Sequence, residues 1–191
     1  ISHKAYTQLV SDTFNKINLS IVGIDNYDNP IENIDSCDGI FIGGGNSFLL
    51  LDKIQQYKLS EKITNKVNSG TPFLGTSAGS NICGITIGTT NDMPIIHPSS
   101  LNSLNLVPFN INPHYLDPIK GSSHMGESRE VRIKEFHQFN DQIVIGLREG
   151  SYLEVNKNSI ILSGPNTARI FKKDHDPFEI EPKFNLNKLL N

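Results

Sequence analysis

The stretch Gly75-Thr76-Ser77-Ala78-Gly79 constrains the fold of this chain more than any other part of the sequence. It follows the apolar run Pro72-Phe73-Leu74 and precedes small residues, which predicts a strand that turns sharply into a helix. Glycines on both sides let the two backbones approach closely, so that Ser77 is lifted out of the sheet next to the N–H of Ala78. The spacing is typical of a nucleophile elbow, although a plain tight turn can carry the same short pattern.

Apolar runs and amphipathic segments alternate along most of the chain. The predicted strands share short apolar runs, at 19–24, 39–42, 86–90, 104–111 and 143–147. The predicted helices share apolar residues at helical spacing, at 4–17, 47–57 and 126–139. Such alternation, with short loops that contain glycine, indicates an α/β fold with a mostly parallel sheet flanked by helices. Turn signals after Tyr152 predict an antiparallel β-hairpin region.

Composition indicates one globular domain over residues 1–191, with 183–191 expected to fray as a tail. The 191 residues are 37% hydrophobic and 19% charged, and the net charge is −3. Lys172-Lys173 is the longest basic run, so neither nucleic acid nor a membrane surface is an expected partner. Cys37 and Cys83 form no C-x-x-C pattern, which argues against a disulfide framework or a zinc site and favours the reducing cytoplasm.

A serine nucleophile requires N–H donors where the oxyanion forms, and two are expected here. Ala78 follows the elbow serine, and Gly45 ends the strand 39–42 just before a helix. A tight turn and a phosphate-binding loop are the alternatives for Gly43-Gly44-Gly45. Phe48 stands where a dinucleotide loop would need glycine, and no Lys-Ser/Thr follows, which disfavours a nucleotide site.

His114 is the best candidate for the general base, because it follows a strand-like run at the end of which an α/β sheet exposes functional groups. His97 and His124 are weaker candidates, and the other histidines, His3, His137 and His175, are expected to be solvated. A metal site built from His97 and His124 with Asp92 or Glu127 lacks the usual ligand spacing. The acid that orients the base is either Asp92 or Glu149, and their loop positions do not separate them.

Seven motifs in collinear order resemble the α-aspartyl dipeptidases of the peptidase E type, in serine peptidase family S51. The matching segments are 43–48, 75–81, 89–94, 111–114, 126–130, 146–150 and 164–167. The resemblance implies a fold related to the class I glutamine amidotransferases and flavodoxin-like sheets, with serine in place of their elbow cysteine. A collinear set of this kind is far more specific than any single motif.

The resemblance also implies roles for individual residues. Ser77 would be the nucleophile, His114 the base and Glu149 the orienting acid. Asp92 would support the site or bind the substrate amine. Arg129 and Asn46 would bind substrate, and the alternative for Arg129 is an ion pair with Glu127 or Glu130 on its own helix. The implied reaction is hydrolysis of the bond after an N-terminal aspartate in small dipeptides, without a metal or other cofactor, by a cytoplasmic monomer or homodimer.

The chain departs from the family pattern at two places. An N-terminal strand-helix-strand is expected ahead of the region that begins at Ile1 and is missing from this sequence, and the segment 116–124 matches only loosely. Two further hypotheses therefore remain: a related S51 hydrolase for isoaspartyl or cyanophycin-like peptides, and an inactive truncated binding domain.

Overall fold

A computed structural model describes residues 2–26, 30–118 and 126–190 of the chain. The α-helices are α1 His3–Phe14, α2 Pro30–Ser36, α3 Ser47–Gln56, α4 Leu59–Asn68, α5 Ala78–Asn81 and α6 Arg129–Phe136. The strands are β1 Ile40–Ile42, β2 Phe73–Gly75, β3 Asn110–Pro113, β4 Val144–Leu147, β5 Tyr152–Asn156, β6 Ser159–Ser163, β7 Ala168–Phe171 and β8 Phe178–Ile180. Short 3-10 helices cover Asn15–Ile17, Ile24–Asn26 and Leu186–Leu189.

The described strands form three hydrogen-bonded sheets. Strands β1 and β2 pair in parallel, and β3 and β4 pair in parallel with Pro113 opposite Leu147. Strands β7 and β8 extend the second sheet in antiparallel fashion, in the order β3-β4-β7-β8. The third sheet is the β5–β6 hairpin. The predicted α/β class with parallel pairing and a hairpin near the C-terminus is confirmed, but the two parallel pairs do not share one hydrogen-bonded ladder.

Each parallel pair has its own hydrophobic cluster. The cluster next to β1 and β2 includes Leu51, Ile63 and Ile82, which come from α3, α4 and the end of α5. The cluster around β3, β4, β6 and β7 includes Ile145 and Ile170, which are fully buried. Burial of large aliphatic side chains is the dominant stabilising contribution in both clusters. The carboxyl ends of β1 and β2 are therefore held by one hydrophobic cluster, and those of β3 and β4 by another.

The predicted strand at 19–24 is wrong. Residues 19–23 have no regular secondary structure, and Leu19 and Val22 are 51% and 56% exposed. None of the described strands pairs with this segment, and a strand without a partner leaves its backbone groups unsatisfied. Its apolar residues therefore lie at the surface instead of in a sheet.

The runs 86–90 and 104–111 are buried in part, yet β3 at 110–113 is the only regular strand that overlaps them among the described residues. Ile87 and Leu104 are 0% and 3% exposed. The N–H groups of Leu104 and Leu106 donate to the carbonyls of Ile82 and Cys83, which follow α5. The carbonyls that follow α5 thus accept hydrogen bonds from the N–H groups of a segment that was predicted to be a strand from its apolar content.

Two further segments differ from the prediction. The helix predicted at 126–139 is confined to α6, where Ile133 is buried, whereas Phe139 is 89% exposed. The expected frayed tail is packed over residues 183–190, because Leu186 is fully buried in the larger cluster. No helix among the described residues is long and apolar enough to cross a membrane.

Candidate active site

Ser77 lies at the apex of a sharp strand-to-helix turn between β2 and α5. Its φ is +54° and its ψ is −116°, a combination that few non-glycine residues adopt. Gly79 makes the turn possible, because a Cβ at this position would lie 2.0 Å from the carbonyl oxygen of Ile42 on β1. The close contact between α5 and β1 thus holds Ser77, which is half-buried, in the strained conformation that is typical of a nucleophile elbow.

The glycine loop after β1 lies directly beside the elbow serine. A Cβ on Gly44 would be 3.2 Å from Cβ of Ser77, and the Gly44 N–H donates to the Tyr6 hydroxyl at 3.1 Å. Gly45 has a φ of +146°, and the space at its Cβ position is open to 4 Å. Within the described ranges, the N–H groups of Gly45 and Ala78 have no acceptor. The two N–H donors predicted for an oxyanion hole are therefore available, whereas that of Gly44 is occupied.

Asn46 caps helix α3 and ties the glycine loop to the loop 89–93. Its Oδ1 accepts from the N–H groups of Phe48 and Leu49, both at 3.1 Å, and its Nδ2 donates to the Met93 carbonyl at 2.8 Å. An N-cap side chain of this kind satisfies N–H groups that the helix itself leaves without partners. The amide of Asn46, predicted to bind substrate, is thus engaged on both sides within the protein.

Asp92 also lies at the N-terminus of α3 and makes no hydrogen bond or ion pair with His114. Its Oδ2 accepts from the Ser47 N–H at 2.7 Å, a charge-assisted hydrogen bond at the positive end of the helix dipole. The Ser47 hydroxyl, which is buried, accepts from Thr90 Oγ1 at 3.2 Å and from Asn81 Nδ2 at 3.4 Å. Asp92 therefore holds the start of α3 beside the loop 89–93, and the Ser47 hydroxyl links α3 to Asn81 on the elbow helix.

His114 and Glu149 form a hydrogen-bonded pair. They follow β3 and β4, which are adjacent parallel strands, and the Nδ1–H of His114 donates to Oε1 of Glu149. This contact leaves Nε2 of the ring free to accept a proton. Of the two acids that the sequence left open, the structure brings Glu149 and not Asp92 to the histidine. His114 itself has a φ of +54°, so the backbone is constrained at this position too.

The serine and the histidine do not yet form a hydrogen bond. Ser77 Oγ has no hydrogen-bond partner among residues 2–26, 30–118 and 126–190. Hydrogen bonds between nucleophile and base are often long without substrate and form when it binds. The structure thus brings His114 and Glu149 together, and it places Ser77 at the start of α5, the helix that packs against β3.

Arg129 lies beside the histidine loop at the start of α6. Its Nη1 donates to the Pro113 carbonyl at 3.1 Å, directly before His114. Burial and the neighbouring Arg132 lower the pKa of the Arg129 guanidinium. Glu130 pairs instead with Lys134 and Arg169, at 3.0 and 3.2 Å. Within the described part of the chain Arg129 forms no ion pair, although the charge of Glu149 attracts it at longer range. The alternative of an ion pair with Glu127 or Glu130 therefore does not occur.

The other histidines within the described ranges make no hydrogen bond to Ser77, His114 or Glu149. His137 is 8% exposed and its Nε2 contacts the Gln142 carbonyl, so the expectation of a solvated side chain is wrong there. His97 is exposed, and His124 falls outside the described residues. The described ranges contain no group of three or more His, Cys, Asp and Glu side chains able to hold a metal.

Sequence reasoning missed one residue next to this site. Arg148, between Leu147 and Glu149, contacts Asp117, Thr167 and Glu179 with its guanidinium. The partners are 19 and 31 residues away along the chain, so no local spacing could indicate them. The signal available was its position directly before the candidate acid at a strand end.

Comparison with known proteins identifies a family. The family model described as Peptidase family S51 matches residues 1–163. A Streptomyces coelicolor protein named Peptidase E is 42% identical over 189 residues, which cover 99% of this chain and 78% of that protein. A Drosophila melanogaster protein named Probable alpha-aspartyl dipeptidase is 41% identical over 189 residues, covering 98% and 79%.

A solved structure supports the fold independently. It is a crystal structure from Listeria monocytogenes EGD-e of a protein described as a peptidase E candidate. It superimposes with a TM-score of 0.56 over 71% of this chain and 64% of that chain, at 20% sequence identity. At this level of identity the likeness concerns the α/β fold alone.

Proposed function

This chain belongs to peptidase family S51, and we propose that it is a serine dipeptidase that hydrolyses the peptide bond after an N-terminal aspartate. The observation that carries the proposal is the contact between His114 and Glu149 at the ends of adjacent strands. A histidine oriented by a carboxylate, near a serine on a strained turn, is the constellation required for acyl transfer.

Acylation begins when Ser77 Oγ attacks the carbonyl carbon of the aspartyl residue. The Nε2 of His114 takes the hydroxyl proton, while Glu149 stabilises the imidazolium through Nδ1. The N–H groups of Gly45 and Ala78 donate to the oxyanion of the tetrahedral intermediate. When the intermediate collapses, the C–N bond breaks and the departing amine receives the proton from His114. A water molecule, activated by the same base, then hydrolyses the aspartyl ester and restores Ser77.

Arg129 is proposed to bind the aspartate side chain of the substrate. Its guanidinium uses one Nη1 hydrogen bond to fix itself against the Pro113 carbonyl, and its remaining N–H groups can face a carboxylate. The planar fork of arginine matches a carboxylate with two parallel hydrogen bonds. Because the guanidinium is partly buried, its charge is screened less than at an open surface.

Asp92 and Asn46 are proposed to position the oxyanion donors. Both side chains are engaged at the N-terminus of α3, which begins two residues after Gly45. Among the described residues, the hydrogen-bonded carboxylate of His114 is that of Glu149, and neither Asp92 nor Asn46 makes a hydrogen bond to the histidine. We therefore assign Asp92 to support of the glycine loop and Glu149 to the triad.

The partners that follow from this reaction are small aspartyl dipeptides. Cys37 and Cys83 are free thiols, which fits a reducing compartment such as the cytoplasm. Whether the enzyme works as a monomer or as a homodimer stays a prediction for size-exclusion chromatography.

A dipeptide panel tests the proposal. Asp-Leu, Glu-Leu, Asn-Leu and β-Asp-Leu are incubated with the purified chain and with Ser77→Ala, and free leucine is quantified. We expect cleavage of Asp-Leu alone and a loss of about 10⁴-fold or more in the variant. Comparable cleavage of Asn-Leu would contradict the role of Arg129.

Two other outcomes identify the competing functions. Preferred cleavage of β-Asp-Leu would assign the chain to isoaspartyl or cyanophycin-like substrates. Labelling with a fluorophosphonate provides the second measurement, because it requires an activated serine but no particular substrate. If folded protein neither cleaves the panel nor labels at Ser77, the peptidase proposal is wrong and the binding-domain hypothesis is favoured.

A further inference from the structure

The side chain of Arg148 joins the two loops that carry the candidate base and its acid. Its Nη2 donates to both carboxylate oxygens of Asp117 at 2.9 Å, and its Nε donates to Oδ2 at 3.1 Å. Asp117 lies three residues after His114, and Arg148 lies directly before Glu149. The guanidinium therefore bridges the same two chain segments as the contact between His114 and Glu149.

Arg148 is itself held in place by the second sheet. Its Nη1 donates to Glu179 on β8 at 2.7 Å and to the Thr167 hydroxyl at 2.7 Å. Burial opposes ionisation of Glu179, but hydrogen bonds from Arg148, Thr167 and Arg169 outweigh it and lower the pKa of Glu179 to about 2. The side chain of Arg148 is only 18% exposed, so its fork has one well-defined orientation.

Two further contacts attach the histidine loop to β4 and to Arg148, the residue that follows it. The Tyr115 N–H donates to the Leu147 carbonyl at 3.0 Å, which continues the β3–β4 pairing by one step. The guanidinium carbon of Arg148 lies 5.5 Å from the centre of the Tyr115 ring, within the range of a cation–π interaction. Arg148 thus fixes the residues that follow His114, while the pairing of β3 with β4 fixes the residues that precede it.

The contact between His114 and Glu149 is exposed to solvent and contributes little to fixing the orientation of either side chain. The two side chains are 49% and 73% exposed. Solvent-exposed ion pairs contribute little free energy and exchange partners readily. The orientation of the imidazole must therefore come from the loops that carry the two side chains.

We propose that Arg148 is a positioning residue, which acts through Asp117 to hold the loop of His114 against the loop of Glu149. The proposal rests on the proposed function, because it concerns the orientation of the general base. Arg148 touches neither Ser77 nor His114, so it does not take part in the proton transfers themselves. Loss of the bridge lets the imidazole rotate away from the acid without removing a reacting group.

Substitutions that preserve charge or shape test this role. The charged groups that face the histidine loop are Glu149, Arg129, Asp117 and Arg148, so a change of net charge would itself shift the pH dependence. Arg148→Lys keeps the charge but loses the fork, and Asp117→Asn keeps the shape but loses the charge-assisted bonds. The matched control is Arg169→Lys, because Arg169 also pairs with Glu179 but does not contact Asp117.

Steady-state kinetics on the best substrate of the wild-type chain is the first measurement. Arg148→Lys and Asp117→Asn are expected to lower kcat about 10-fold to 100-fold with KM within about twofold, because the base is misoriented rather than removed. Arg169→Lys keeps the wild-type values.

The proton on Nδ1 of His114 provides a readout that does not require activity. In ¹⁵N-labelled wild-type protein the Nδ1–H resonance that is lost in Glu149→Gln reports the pair directly. It is expected to weaken or shift in Arg148→Lys and Asp117→Asn and to persist in Arg169→Lys. If both variants keep the wild-type resonance and kcat, or if Arg169→Lys reduces them equally, the proposal is wrong. A chain that shows this resonance pattern but cleaves no dipeptide would refute the proposed function alone.

Discussion

Substitution of Gly79 by alanine should disturb the elbow much more than it disturbs the rest of the fold. The added Cβ would lie 2.0 Å from the carbonyl oxygen of Ile42 and 2.7 Å from its carbonyl carbon. Both atoms belong to the backbone of β1, so no side-chain rotation can relieve the overlap. Helix α5 must move away from β1, and it takes Ser77 and Ala78 with it.

The size of the effect follows from that distance. Ordinary contact begins near 3.4 Å, so α5 must retreat by about 1.4 Å at this point. A misplacement of about 1 Å at the reacting atoms costs about 100-fold in rate. Overpacking of this kind destabilises a protein by about 1–3 kcal/mol, and the better helix propensity of alanine offsets about 1 kcal/mol of it. We expect kcat to fall at least about 100-fold and the free energy of unfolding to fall by up to about 2 kcal/mol.

The assay combines urea unfolding, dipeptide hydrolysis and fluorophosphonate labelling of Ser77. Gly39→Ala is the matched control, because a Cβ there would lie 3.6 Å from the Pro72 carbonyl oxygen, an ordinary contact. This variant should keep wild-type turnover. Wild-type turnover and stability in Gly79→Ala would refute the close-approach argument, as would an equal loss in Gly39→Ala.

Other expected outcomes concern the acids of the site and its support. Glu149→Gln should lower kcat by about 10³–10⁴-fold with little change in urea stability, because it removes the partner of the base from an exposed position. Asp92→Asn should lower the free energy of unfolding by about 1 kcal/mol through the α3 cap, and a larger kcat loss than in Glu149→Gln would reverse the assignment of the two acids. Glu179 has its pKa lowered from 4.5 to about 2, so its contribution to stability is complete above about pH 4.5 and disappears as pH falls through 2. Urea unfolding of Glu179→Gln should therefore differ from wild type more at pH 7 than at pH 3, and an equal difference at both would contradict the linkage.

Local patterns in the sequence predicted the elements that depend on neighbouring residues. The elbow and the helix after Asn46 depend on glycine spacing and capping within a few residues. The buried strand at 144–147 has an uninterrupted apolar run. The α/β class follows from these elements, because their alternation leaves few ways to bury both faces of a strand.

The features that sequence reasoning predicted wrongly or left open depend on contacts between residues far apart in the chain. The run 19–24 has the composition of a strand but finds no partner, and the run 104–109 is satisfied by the end of α5. The choice between Glu149 and Asp92 depends on which strands are neighbours, and the pairing of β3 with β4 places Glu149 at the histidine. Arg148 escaped notice because both of its carboxylate partners are 31 residues away.

The division of the parallel strands into two ladders affects how such a site can evolve. Ser77 follows β2 in one sheet, and His114 follows β3 in the other, with α5 packed against β3 between them. Strands within one ladder are spaced in fixed steps of about 4.8 Å, so residues at their ends can change separation only by whole steps. Across a packed junction, a single methyl group gained or lost changes the separation by a fraction of an ångström. Natural variation at the α5–β3 contact can therefore change the distance between Ser77 and His114 gradually, while the residues on each sheet keep their own hydrogen bonds.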